Sequence, residues 1–139
     1  MSRFVLDCSV SLSWCFEDEA NPYADSVLDA LQDSSALVPS LWAFEAANAL
    51  LVAERRNRIS SAQSIRAIAL LQALPIFTDE VSPHQSMTAT LSLARSHGLS
   101  AYDAAYLELA LREGLALATL DKRLELAAQG CGVILFAPV

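Results

Sequence analysis

Short apolar runs alternate along this chain with longer segments of helical period, and that alternation leaves few folds open. Arg3 to Cys8, Ala36 to Val38, Pro75 to Thr78, Leu115 to Leu120 and Val133 to Phe136 read as short buried strands. Between them the helices carry their own start and stop signals. Asn21-Pro22 is an N-cap followed by a first-position proline, and Tyr23, Val27, Leu28 and Leu31 form its apolar face opposite Asp25, Asp29 and Asp33. Pro39-Ser40 opens a helix that runs to about Asn57, and a second, about Ala62 to Ala73, folds back on it. Ser82-Pro83 starts a helix that Gly98 ends, Ser100 caps one that Gly114 ends, and Asp121 caps one that Gly130 ends. Strands interleaved with helices predict an α/β fold: a parallel sheet of about four or five strands, covered on both faces. With 139 residues, one domain over 1–139 with one core is expected.

Hydrophobic residues make up 54% of the chain, and a mean hydropathy of +0.37 predicts apolar surface left for a partner chain. No uncharged apolar run reaches the ~18 residues of a membrane span. The N-terminal stretch meets Asp7 too soon to hold a signal-peptide core, so a cytoplasmic location is expected. Cys8, Cys15 and Cys131 are widely spread, form no CxxC pair and read as small hydrophobes. Phosphate-cradle motifs and a GxSxG elbow are absent. His84 and His97 read as surface residues near helix ends. A net charge of −7 taken alone argues against nucleic acid, although Arg55, Arg56, Arg58 and Arg66 lie close together. The acid-rich segment from Glu17 to Asp33 could attract a basic partner.

Four acids stand out by position. Asp7 ends the first strand, where ligands of open parallel sheets bind, and an Asx turn or N-cap is its bland alternative. Glu45 interrupts a helix that is apolar nearly all round (Leu41, Trp42, Phe44, Ala46, Ala47, Leu50, Leu51, Val52) and is expected to be buried on most sides. No base lies within one turn of Glu45, so function is favoured there, with a distant arginine as the alternative. Asp103 follows Ser100 at capping-box spacing and suits the helix dipole. Asp121 is fully explained as an N-cap, with Thr119 two residues before it on the same side of the strand. Together these acids can meet at one sheet edge. Carboxylates held together repel, and a bound Mg²⁺ or Mn²⁺ removes that conflict while activating water and stabilising charge on a phosphoryl oxygen. The negative net charge then no longer excludes nucleic acid, because the cation meets the phosphate.

Val5-Leu6-Asp7-Cys8-Ser9, Phe44-Glu45-Ala46-Ala47-Asn48-Ala49-Leu50, Leu99-Ser100-Ala101-Tyr102-Asp103-Ala104-Ala105-Tyr106 and Ala118-Thr119-Leu120-Asp121, in that order and spacing, resemble the PIN-domain ribonucleases, and most closely the VapC-like toxins of toxin–antitoxin pairs. The resemblance implies a PIN-like fold and a metal-dependent endoribonuclease that hydrolyses RNA phosphodiesters in line. It implies Asp7 and Asp103 as the most direct metal ligands, with Glu45 and Asp121 ligating directly or through water. Ser9, Asn48 and Thr119 become polar support. A homodimer is implied, neutralised by a small antitoxin whose arginine enters the acidic pocket. Relatives often carry many basic residues around the groove, whereas this chain has one lysine, Lys122. Arg55, Arg56, Arg58, Lys122 and Arg123 are the candidates for RNA phosphates, against an ordinary solvated face. The alternatives are a nuclease of the same fold in RNA processing or DNA repair, and a non-catalytic scaffold that binds a metal or a basic peptide.

Overall fold

A computed structural model describes residues 2–138. Its four strands, β1 (Arg3–Leu6), β2 (Ser35–Val38), β3 (Ile76–Thr78) and β4 (Ala116–Ala118), pair in parallel in the order β3-β2-β1-β4. Seven helices connect and cover them: α1 (Cys8–Cys15), α2 (Pro22–Ala30), α3 (Leu41–Arg55), α4 (Ser61–Ala73), α5 (Pro83–His97), α6 (Ala101–Glu113) and α7 (Lys122–Gly130). The expected α/β architecture is present. Alternation along the strands divides the core. Val5, Leu37 and Leu117 face Tyr106, Leu107 and Ala110 of α6 and Leu124 of α7. Phe4, Leu6, Ala36 and Val38 face Val10 of α1 and Ala24 and Val27 of α2. Burial on both faces is what a parallel sheet requires.

Local chemistry sets the helix ends. Asn21 accepts from Ala24 N, and the Ser60/Gln63 and Ser82/Gln85 pairs form reciprocal capping boxes. Gly98 and Gly114 end α5 and α6 at φ of 62° and 64°, a left-handed turn that costs glycine little.

Two expectations need correction. The run Val133 to Phe136 is not a fifth full strand: it pairs with β4 through a single bridge, Leu117 to Leu135. Its Phe136 ring stacks on Phe4 at 3.9 Å, and the Phe136 carbonyl accepts from the Tyr23 hydroxyl at 2.7 Å. These contacts act together with the two backbone bonds of the bridge, Leu117 N to the Ile134 carbonyl and Phe136 N to the Leu117 carbonyl. Nor is α3 buried on most sides. Only Ala46, Leu50 and Ala53 are buried along it, and Phe44 is 78% exposed.

With β1 between β2 and β4, the strand order reverses at the β1/β4 boundary. The crevice beyond the carboxyl ends of those two strands is where open α/β sheets bind ligands. Asp7 leaves β1 there, and Thr119 to Asp121 leave β4 beside it.

Candidate active site

Asp7 occupies the N-cap position of α1, yet its side chain makes no capping bond. It is only 5% exposed. Its Oδ2 accepts from Ser9 Oγ at 2.6 Å and from Thr119 Oγ1 at 2.8 Å. Both hydroxyls also accept: Leu120 N donates to Ser9 Oγ, and Asp121 N to Thr119 Oγ1, each at 3.0 Å. These bonds explain why β4 stops at Ala118 rather than at Leu120, because the next backbone N–H groups turn to side chains instead of the ladder. They also hold one oxygen of a buried carboxylate, which needs such donors. Among the described residues, Oδ1 accepts no hydrogen bond.

Asp103 lies in the first turn of α6. Its backbone N–H donates to Ser100 Oγ at 3.1 Å, while the carboxyl makes no return bond to close a capping box. Glu45, half-buried in the first turns of α3, has no basic partner among the described residues. Its Oε1 accepts from the Tyr106 hydroxyl at 2.5 Å. Asp121 caps α7, with Oδ1 accepting from Leu124 N at 3.1 Å.

The carboxyls act on one another. Burial raises the Asp7 pKa, the Ser9 and Thr119 hydrogen bonds oppose that rise, and the charges of Asp103 and Asp121 add to it. Glu45 is raised by burial and by Asp7 and Asp103, against the Tyr106 hydrogen bond. Asp103 is raised by burial and by Asp121, with Arg123 opposing. The four acids thus share one electrostatic environment with an excess of negative charge. Burial, helped by Glu45 and Asp7, also pushes the Cys8 thiol far up, which removes it as a nucleophile.

All the donors here are oxygens, the set that hard divalent cations prefer. Among the described residues, no three His, Cys, Asp or Glu side chains converge as they stand on one point that could hold an ion. The donor chemistry fits Mg²⁺ or Mn²⁺, and so does the mutual repulsion.

The other candidates are distributed unevenly. Ser9 and Thr119 are in the network. Asn48 is exposed, and no hydrogen bond links it to Asp7, Glu45, Asp103 or Asp121. Arg123 lies near enough to act on Asp103, and the neighbouring Lys122 pairs with Glu125 at 3.4 Å. Arg58 is engaged elsewhere: it bonds Asp18 and Glu19 at 3.0 and 3.1 Å and sits over the Phe16 ring. Arg55 and Arg56 are exposed at the far end of α3, about 15 Å along the helix from Glu45 at 1.5 Å per residue. His97 is not a simple surface residue, since its Nε2 meets Cys131 Sγ at 3.1 Å.

Sequence reasoning missed Tyr106 as a site residue. It lies three positions after Asp103 on the same face of α6, the one signal available, but an aromatic in an apolar helix reads as core. It also missed the anchor formed by Arg112, which binds Asp79 at 2.6 Å and Glu108 at 2.9 Å, tying α6 to the loop after β3.

The family model for the PIN domain matches residues 4–129. This chain belongs to the PIN domain family. Ribonuclease VapC3 of Pyrobaculum aerophilum is 30% identical over 125 residues, which cover 88% of this chain and 92% of that protein. The crystal structure of PAE2754 from Pyrobaculum aerophilum superposes with a TM-score of 0.70 at 25% identity, covering 93% of this chain and 88% of that one. FitAcB from Neisseria gonorrhoeae shares the PIN fold at a TM-score of 0.63 and 20% identity, with 97% of each chain covered. Among the described residues of this PIN domain, no helix is long and apolar enough to cross a membrane.

Proposed function

We propose that this PIN domain is a Mg²⁺- or Mn²⁺-dependent endoribonuclease, acting as the toxin of a toxin–antitoxin pair. One observation carries the reading: Asp7 is buried, fixed through Oδ2 by Ser9 and Thr119 and open at Oδ1, near enough to Asp103 and Asp121 to feel their charge, with Glu45 of α3 in turn under the charge of Asp7 and Asp103. A relative similar along most of its length bears the name ribonuclease, which supports the same reaction here.

Asp7 and Asp103 would hold the cation, with Glu45 and Asp121 completing its shell directly or through water. When bound there, the cation would supply an activated water and charge stabilisation at the phosphoryl oxygens for in-line hydrolysis. Ser9 and Thr119 keep Asp7 in one rotamer, so that its free oxygen has a fixed direction. Arg123 and Lys122, at the rim, attract the RNA backbone. Arg58 is already paired, and Arg55 and Arg56, about 15 Å along α3 from Glu45, would meet RNA phosphates away from the metal site.

The same reading makes residues 1–139 one domain that works in the cytoplasm as a homodimer. Exposed Met87, Leu91 and Tyr102, around an apolar cavity of about 610 Å³, support a second copy as the cover. An arginine of a small antitoxin suits the excess negative charge of the site.

The test is incubation of the purified protein with total cellular RNA, with and without Mg²⁺ or Mn²⁺, beside Asp7→Asn. Discrete metal-dependent fragments that disappear in the variant are expected. Cleavage that persists in Asp7→Asn, or in the presence of a chelator, contradicts the proposal.

A further inference from the structure

We infer that Tyr106 is a positioning residue for Glu45, holding Oε1 with its buried hydroxyl so that Oε2 is directed to the metal-binding rim. The inference rests on the metal-centre reading and assigns a role to a residue outside the four acids and their hydroxyl partners.

The geometry supports it from both ends. Tyr106 is 0% exposed, wedged in the core between α6 and the sheet. A phenylalanine would fill that space equally well, so packing does not explain the hydroxyl. A buried hydroxyl needs an acceptor, and Glu45 Oε1 is the one it has. Glu45, for its part, has a long, flexible side chain and no lysine or arginine to fix it among the described residues. A guanidinium would steady the carboxylate but neutralise it. A phenol steadies it and leaves the charge for a cation. Because Asp103 and Tyr106 lie three residues apart on one helix, they share a face. Helix α6 thus supplies one acid of the rim and anchors another that arrives on α3.

Mn²⁺ titration followed by the electron paramagnetic resonance signal of the free ion tests this without RNA. Four proteins are compared: wild type, Tyr106→Phe, Glu45→Ala and the double variant, each checked for native circular dichroism. Loss of a partner that orients a ligand costs about 10–100-fold in metal affinity, and that loss is expected for Tyr106→Phe. In the Glu45→Ala background the same substitution is expected to change affinity by less than about two-fold, because nothing is left to position. Glu45→Asp leaves Tyr106 intact but is one methylene too short to reach both the phenol and the rim. It should lose affinity similarly, and it serves if Tyr106→Phe folds poorly. Wild-type affinity in Tyr106→Phe, or an equal loss in both backgrounds, overturns this inference alone. No Mn²⁺ binding by wild type overturns the metal-centre reading and this inference with it.

Discussion

Replacing Thr119 by valine removes one hydroxyl from the centre of the network while keeping the shape of the side chain. Thr119 is 7% exposed and donates to Asp7 Oδ2 while accepting from Asp121 N. A hydrogen bond to a charged group contributes about 1.5–3 kcal/mol. Leaving the Asp121 N–H without an acceptor adds a penalty of about 1 kcal/mol, the low end of the range, since Asp121 is only half-buried. The combined loss is roughly 3 kcal/mol. A chain of 139 residues has an unfolding entropy of about 0.3 kcal/mol/K, so Tm should fall by about 10 °C. Thr119→Ser keeps both bonds and loses one buried methyl, about 1 kcal/mol or about 3 °C. Thermal melts of the metal-free proteins at neutral pH, followed by far-ultraviolet circular dichroism, give both numbers. Because the Thr119 bond lowers the Asp7 pKa, the valine deficit should narrow as pH falls and Asp7 takes up its proton. A valine variant that melts within about 2 °C of wild type, or a serine variant as damaged as the valine one, would refute the network's assigned role.

Three further outcomes are expected. Asp7, Glu45 and Asp103 all have raised folded-state pKa values. The folded protein therefore binds more protons than the unfolded chain between the unfolded carboxyl range and those raised values, and their contribution to stability grows as pH falls through that window. In metal-free melts, Asp7→Asn should gain on wild type near neutral pH and lose that advantage on acidification; a gap that widens toward acid pH contradicts the sign. Arg112→Ala leaves the buried Glu108 and the half-buried Asp79 without their guanidinium, a loss of about 1–3 kcal/mol because Arg112 itself is partly solvated, and denaturant unfolding should register it. Lys122→Ala and Arg123→Ala should each flatten the dependence of log affinity for single-stranded RNA on log salt by about 0.7. Arg58→Ala should leave it unchanged, since that guanidinium is held by Asp18 and Glu19.

The parts of the fold governed by adjacent residues could be read in the sequence. The limits of α5 and α6 follow from Ser82-Pro83, Gly98, Ser100 and Gly114, each acting on backbone within a turn of itself. The place of Asp7 was legible because an apolar run that ends in an acid marks the end of a strand. What depended on distant partners was not legible. Tyr106 and Glu45 are 61 residues apart, and nothing local in either stretch announces their bond. Arg58 and Asp18, 40 residues apart, are an ion pair that composition reads only as a basic cluster and an acidic one. The all-apolar surface of α3 could not say which side meets the core, and Phe44 lies on the side that does not. The segment from Val133 to Phe136 has the composition of a strand, but only one of its residues is in bridge register with β4.

In the proposed function, Asp7, Glu45, Asp103 and Asp121 together hold a divalent cation. Anomalous diffraction from crystals soaked in Mn²⁺ tests it most directly. One strong peak is expected at the β1/β4 switch point, within direct ligation distance of Asp7 Oδ1 and an Asp103 oxygen, and absent in Asp7→Asn. A wild-type map with no peak there, or with Mn²⁺ bound elsewhere while the four carboxyls stay apart, would contradict it.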